Sequence, residues 1–341
     1  LVFWNTRQDV IWFLACCCGQ PYGNNPVTFG AGVFGDRFLQ DQGVWDMPAM
    51  FRGSMTALIT PMHEDGSVDE AAFAKFVQWQ IDEGTDGVIP VGTTGESPTL
   101  SHEEHRRVID IAIEVAGGKV PVIAGTGSNN TREAISLTHH AKEAGADAAL
   151  VVTPYYNKPT QDGLYAHYAA IASAVDIPII IYNIPGRSVI DMSVATMARL
   201  AQDFDTIIGV KDASNDLARP LATRLAIGPD FAQLSGEDAT IGAFLAQGGH
   251  GCISVSSNVA PKLCAQLHDS WQQKDWDSFE RARDTLMPIH GAMFCQSSPA
   301  PAKFGAHLLG LSGETVRLPL VSATTETKAI VTAAMKSAGL I

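Results

Sequence analysis

The sequence predicts an α/β fold: a (β/α)8 TIM barrel with a C-terminal appendix of three helices. Three observations carry this prediction. From Gly53 onward, apolar runs bounded by Gly, Pro or Asp alternate with segments of helical periodicity. The alternation repeats eight times within about 220 residues, which suits a closed barrel better than an open doubly wound sheet. The runs are near-continuously apolar, as expected of parallel strands buried on both faces.

The elements follow in order. The first strand is "SMTALIT" (54–60), and the helix after it (69–83) is preceded by Ser67 and Glu70 at capping-box spacing. "GVIPV" (87–91) runs into "GTTGESPTLSHEEH", where Ser101 and Glu104 announce a helix over 101–116. "VPVIAGT" (120–126) precedes a helix over 131–144, with Asn130 and Glu133 at the same spacing. Then come "AALVVT" (148–153) with helix 160–175, and "PIIIYN" (178–183) with helix 193–203. "TIIGVKD" (206–212) is followed by helix 214–227, and "FAQLSG" (231–236) by helix 238–247. "GCISVSS" (251–257) with helix 259–271 completes the set. Past Trp271 no strand of this type remains, and helices are expected at 273–292, 298–310 and 324–339.

The expected organisation is therefore a catalytic barrel over 47–271 and a helical region over 272–341. Residues 1–46 read as an extraneous or disordered segment. They begin at Leu1, and their apolar run Val10–Cys18 is too short to span a bilayer. No positive n-region or small-residue cleavage site marks a signal peptide, and Met47 or Met50 makes a natural start.

Composition excludes several functions. The chain has 341 residues, 46% hydrophobic and 17% charged, which suits a globular protein with a full core. A formal charge of −13 gives no electrostatic footprint for nucleic acid. Six cysteines are too few and too irregularly spaced for a disulfide scaffold. Cys252, Cys264 and Cys295 are expected to be buried thiols of a reducing compartment, the cytoplasm. No metal-ligand spacing appears: "HEEH" separates its histidines by three, not four. Neither a phosphate loop nor a dinucleotide fingerprint occurs, and no cofactor is expected.

A barrel of this kind builds its active site at the carboxyl ends of its strands. Strand two delivers Thr93, Thr94 and Glu96; strand four Tyr155, Tyr156 and Asn157; strand five Tyr182, Asn183 and Arg187. Strand six ends in Lys211 and Asp212, strand seven in Ser235, Gly236, Glu237 and Asp238. Lys211, inside "IIGVKDAS", is the sharpest signal. Burial disfavours its charged form, and a neutral amine at a barrel mouth is the nucleophile of Schiff-base chemistry. A lysine snorkelling past the strand end, or one paired with Asp212, fits the sequence equally well. The Tyr182 phenol suits proton transfer, the Gly-Thr-Thr-Gly turn suits a carboxylate, and Arg187 suits a second carboxylate.

The motifs "GTTGES", "TPYYNKP", "YNIPGRS", "GVKDAS", "LSGEDA" and "GGHGCISV" resemble the class I pyruvate-dependent aldolases and, more narrowly, the dihydrodipicolinate synthase family. The resemblance runs from about Met50 to Ile341. It implies a (β/α)8 barrel with a three-helix C-terminal region, assembled as a homotetramer, a dimer of dimers. It implies condensation of pyruvate with L-aspartate 4-semialdehyde to 4-hydroxy-tetrahydrodipicolinate, the first committed step of lysine and diaminopimelate synthesis. Lys211 matches the Schiff-base lysine and Tyr182 the general acid/base. Thr93 and Tyr156 match the proton relay, the tyrosine reaching in from a neighbouring subunit. Thr94 matches the pyruvate-carboxylate contact and Arg187 the contact to the second substrate's carboxylate, with Gly236 and Ile253 also at the substrate. Related N-acetylneuraminate lyases keep the lysine and tyrosine but lack an arginine after the "YN-x-P" element, so Arg187 favours the synthase. A silent barrel that only binds an oxo-acid is the other alternative, and retention of the four catalytic residues argues against it.

The resemblance further implies feedback inhibition by L-lysine, bound by Ser97, His102, His105, Asn129, Glu133 and Tyr155. Without it, His102 and His105 read as a solvated helix face. Pro98 departs from the small residue often found there in the family.

Overall fold

The computed structural model describes residues 51–341, so the expectation for residues 1–46 lies outside the described residues. The eight strands are β1 (Gly53–Ala57), β2 (Gly87–Ile89), β3 (Ile123–Gly125), β4 (Ala148–Val152), β5 (Ile179–Asn183), β6 (Ile207–Asp212), β7 (Ala232–Ser235) and β8 (Gly251–Ser254). Between them lie α1 (Glu70–Asp82), α2 (His102–Ala116), α3 (Thr131–Ala144), α4 (Gln161–Ala174), the short α5 (Pro185–Ser188), α6 (Val194–Asp203), α7 (Arg219–Ile227) and α8 (Ile241–Ala246). After β8 come α9 (Pro261–Gln273), α10 (Trp276–Met293), α11 (Ala300–Leu308) and α12 (Thr325–Ser337).

Among the described residues the pairings between these strands are all parallel, in the order β2-β1-β8-β7-β6-β5-β4-β3. A single parallel bridge from Val88 to Val122 joins β2 to β3 and completes the ring. Asn258 ties the β1–β8 seam, accepting from the Ile59 N–H and donating to Ala57 O. The TIM barrel and its C-terminal helices are as predicted. Among the described residues no helix is long and apolar enough to cross a membrane.

The strands form where they do because both faces are dry. On β5, Ile179 and Ile181 pack outward against Leu164, Tyr168 and Ile171 of α4 and Leu200 of α6. Ile180 and Tyr182 point inward with Met55, Ile89, Ile123, Leu234 and Ile253. Each full burial of such a side chain contributes about 1.5–3 kcal/mol over exposure. On β6 the register against β5 shifts by one residue between Ile207 and Gly209. Ile207 and Val210 therefore both face outward, although simple alternation would set them on opposite faces. Without that shift Lys211 would share the outward face of Ile207. With it, Lys211 pairs with inward-facing Tyr182 and Leu234.

Three local expectations are corrected. Asp69, not Ser67, caps α1, accepting from the Ala72 N–H, while Ser67 is drawn into a turn with Asp65. Strand β2 stops at Ile89 rather than residue 91, since Pro90 has no N–H to pair and Val91 turns to φ 49°. Helix α7 begins at Arg219 rather than residue 214, because the Asp212 and Asp216 carboxylates hold 214–218 in turns. The Ser101–Glu104 capping box is complete as expected.

The C-terminal helices extend the same core. Phe279, Leu286 and Met293 of α10, Ala302 and Phe304 of α11, and Val331 and Met335 of α12 join Leu58, Phe73 and Phe76 in one buried cluster. Cys252 and Cys264 are buried as expected; Cys295, just past α10, is exposed.

Candidate active site

The ends of β5, β6 and β7 bring together the predicted lysine, tyrosine and glycine. Lys211 is 6% exposed, and its Nζ stands 4.3 Å from the centroid of the Tyr182 ring. A Cβ on Gly236 would lie 2.6 Å from the Ala213 Cβ and 3.2 Å from the Lys211 Cε, so only glycine leaves the lysine its place. Ile253 is fully buried in the same barrel interior as Tyr182.

Both plainer readings of Lys211 fail. It does not snorkel to the surface, and Asp212 is engaged elsewhere. Asp212 Oδ2 accepts from Arg219 Nε at 2.8 Å, and its Oδ1 accepts from the Ser214 N–H at 2.8 Å and the Ser214 hydroxyl at 2.5 Å. Arg219 also donates to Asp191 Oδ2 and to Met192 O, and Asp191 accepts from Asn183 at the end of β5. This network stitches the ends of β5 and β6 together behind the lysine. The strand reading missed Arg219 and Asp191, since neither sits at a strand end.

The turn after β2 forms the next wall. Its N–H groups fold back, Gly95 and Ser97 donating to Gly92 O and Glu96 to Thr93 O. Val91, a β-branched residue, holds a left-handed φ of 49° there. The approach of β3 is close enough that a Cβ on Gly125 would meet Val91 O at 2.5 Å. Thr93, Ser97 and Tyr182, with Gly92, Leu150 and Val152, line a cavity of about 60 Å³. Thr94 beside it is buried. Among the described residues, six of the seven non-glycine residues with positive φ follow barrel strands at this end: Val91, Glu96, Tyr156, Lys158, Val189 and Asn215. Such clustering of costly backbone is characteristic of working surfaces.

Two predicted residues stay on the rim. Tyr156 is 89% exposed at φ 70°, and Arg187 is exposed on α5. Glu237, half-buried past β7, has its carboxyl pushed up by burial and by Asp238, while Lys211 and Arg187 pull it down. The rim thus has one cation, Arg187, and one carboxylate, Glu237, around the buried Lys211 amine.

A second constellation lies behind the β2 turn. His102 Nε2 is 2.9 Å from Glu133 Oε1, and the other Glu133 oxygen accepts from the Ser128 hydroxyl. Glu133 therefore does not close a capping box on Asn130. Asn130 caps α3 through the Arg132 N–H, and its own N–H donates to Ser128. Asn129 donates to Tyr155 O and Asn157 donates to Asn129 O, joining the β3 and β4 ends. His105, on the next turn of α2, is buried, and burial pushes its pKa down to about 4. The histidine pair is thus not one solvated face. Ser128 was missed because the residues past β3 were not read with the other strand ends. Among the described residues no group of three His, Cys, Asp or Glu side chains is placed to hold a metal.

Known proteins share this arrangement across the described barrel and helices. The Dihydrodipicolinate synthetase family matches residues 50–338. The 4-hydroxy-tetrahydrodipicolinate synthase of Rhodospirillum centenum is 66% identical over 292 residues, covering 86% of this chain and 100% of that protein. The chloride-inhibited dihydrodipicolinate synthase of Acinetobacter baumannii, solved with pyruvate, superposes with a TM-score of 0.83 at 46% identity, covering 85% of this chain and 99% of that one. The Cyanidioschyzon merolae enzyme solved with lysine bound gives a TM-score of 0.83 at 37% identity, covering 86% and 99%. With its barrel, its lysine at the end of β6 and its sequence aligned from end to end of these relatives, the chain belongs to the dihydrodipicolinate synthetase family.

Proposed function

We propose that this chain condenses pyruvate with L-aspartate 4-semialdehyde through an imine on Lys211. The observation that carries the reading is the buried amine itself, facing Tyr182 across one strand register with Asp212 already neutralised by Arg219. A relative solved with pyruvate supports the first substrate, and the names of the curated relatives support the product.

The amine attacks the ketone carbon of pyruvate, and loss of water leaves an imine. Removal of a methyl proton gives an enamine, whose carbon bonds to the aldehyde carbon of the second substrate. That substrate's amino group then adds to the imine carbon, closing the ring and releasing Lys211. Tyr182 moves protons at the imine, with Thr93 beside it in the cavity as relay. Tyr156 belongs to the relay of a neighbouring subunit in a homotetramer, which accounts for an exposed tyrosine on strained backbone. Thr94 and the turn amides receive the pyruvate carboxylate, Gly236 and Ile253 bound the same space, and Arg187 receives the second carboxylate. The working unit is the barrel over 47–271 with the helical region over 272–341, in the cytoplasm.

Lysine inhibits by binding at Ser97, His102, His105, Asn129, Glu133 and Tyr155. The lysine-bound relative supports this, and so does the polar link from Glu133 through Ser128 to the β3–β4 ends. The test of the chemistry is borohydride reduction in the presence of pyruvate. One reduced pyruvyl adduct on Lys211 is expected; label elsewhere, or none, removes the mechanism. For the regulatory reading, Glu133→Ala should abolish lysine inhibition and leave uninhibited turnover intact.

A further inference from the structure

Glu96 closes the turn that carries Thr93 and Thr94, yet no step above uses it. Its backbone is left-handed, φ 58° and ψ 33°, and its carboxylate is carried away from the cavity into the protein. There Oε1 meets the Lys303 ammonium of α11 at 2.5 Å, both side chains fully buried. Oε2 accepts from the Arg317 N–H at 2.9 Å. Lys303 in turn donates to Thr315 O at 2.6 Å. The Arg317 guanidinium donates to Gly66 O, to Thr99 O and to both oxygens of Glu104, the residue that completes the cap of α2.

We propose that Glu96 is a positioning residue. Tied by Lys303 and Arg317, it lets the C-terminal helical region set the geometry of the turn that receives the pyruvate carboxylate. The proposal rests on the imine reading of the site above. A fully buried ion pair gives little stability over an apolar pair of similar volume, so stability alone does not account for it. What it adds is direction. Apolar packing fills space with many near-equal arrangements, whereas a buried ion pair and a charge-assisted hydrogen bond to one carboxylate fix where the Glu96 backbone sits. On the other flank Thr60, just past β1, donates to Gly95 O at 2.7 Å. The turn is thus held from both sides, once from the barrel and once from the appendix. The anchored residues, Gly95 and Glu96, directly follow Thr93 and Thr94 in the turn.

The experiment uses the full chain and the double variant Glu96→Leu/Lys303→Met, which replaces the pair by apolar side chains and leaves no buried charge. Its melting temperature, its KM for pyruvate and its rate of borohydride-trapped adduct formation on Lys211 are compared with wild type. A folded variant should show pyruvate KM raised and adduct formation slowed by on the order of tenfold or more, as expected for a displaced binding turn. KM for aspartate semialdehyde should change little, since Arg187 lies on a different strand end. A double variant that melts like wild type and keeps the wild-type pyruvate KM and adduct rate overturns the proposal. If the double variant does not fold, Glu96→Gln carries the same test. It keeps the shape and an acceptor for the Arg317 N–H, and it should still raise pyruvate KM severalfold; an unchanged KM overturns the proposal. A wild type that forms no adduct on Lys211 refutes the imine reading itself, a result distinct from either variant outcome.

Discussion

Two buried carboxylates flank the proposed site and are neutralised in opposite ways. Asp212, next to Lys211 in the chain, is paired with Arg219 only seven residues away, and that pair keeps a little exposure, 8% and 10%. Glu96, at the end of the turn after β2, is paired with Lys303 in complete burial and tied to Arg317, which is 221 residues distant. The first pair is a local device that frees the lysine from its neighbouring acid. The second is a long-range tie that makes the C-terminal helices part of the barrel mouth. Similar chemistry thus does different work according to what the chain brings beside it.

Breaking each pair from its cationic side should separate them. Lys303→Met leaves a carboxylate buried and unpaired, and a loss of about 3–5 kcal/mol is expected in denaturant unfolding. A loss under about 1 kcal/mol would mean that water or local movement relieves Glu96, and the contrast with Asp212 would disappear. Arg219→Met should cost less, about 2–4 kcal/mol, because solvent reaches the Asp212 pair. Its sharper signature is chemical: Asp212 is released close to Lys211, so the pH dependence of imine trapping should move, whereas that of Lys303→Met should not.

Arg187 is the control on both. It is an arginine at the same mouth, but exposed. Arg187→Ala should leave unfolding unchanged and raise KM for aspartate semialdehyde far more than for pyruvate, a loss of about 1.5–3 kcal/mol in binding. Equal effects on both substrates would make it structural.

The smallest effect concerns the rim of the long-range tie. The Arg317 guanidinium holds the Glu104 carboxyl down to about 2, and the Ser101 N–H adds to the effect. A carboxylate lowered on folding contributes stability that is fully present above its unfolded pKa of about 4.5 and fades as pH falls through about 2. Comparing wild type with Glu104→Gln by urea unfolding at neutral pH and near pH 3 should show a gap that narrows in acid. The gap should be small, because the pair is partly open to solvent.

Much of the fold was legible in the sequence. Runs such as "AALVV" and "PIIIYN" have to be apolar on both faces to sit in a covered parallel sheet, and that demand is written directly into composition. The Ser101–Glu104 cap is a contact within one helical turn, so its spacing sufficed. The Ser67 cap had the same spacing and failed, because Asp69 offered a stronger acceptor nearer the helix start. Cys295 was expected to be buried like its two fellows and is not, since one cysteine has no pattern that tells its side of a helix end.

The sequence by itself determined that eight strands and their helices form, and that a lysine, a tyrosine and a glycine-threonine turn arrive at strand ends. These follow from neighbours a few residues apart. Only the tertiary structure decided which way Lys211 points, because a one-residue register shift between β5 and β6 reverses every side chain beyond it. It alone chose Arg219 as the partner of Asp212, brought Glu133 to Ser128 and His102, and carried Glu96 to Lys303. Glu133 and His102, and Glu96 and Lys303, come from distant stretches of chain, and even the nearer pairs depend on how a turn folds back, which residue spacing alone does not set.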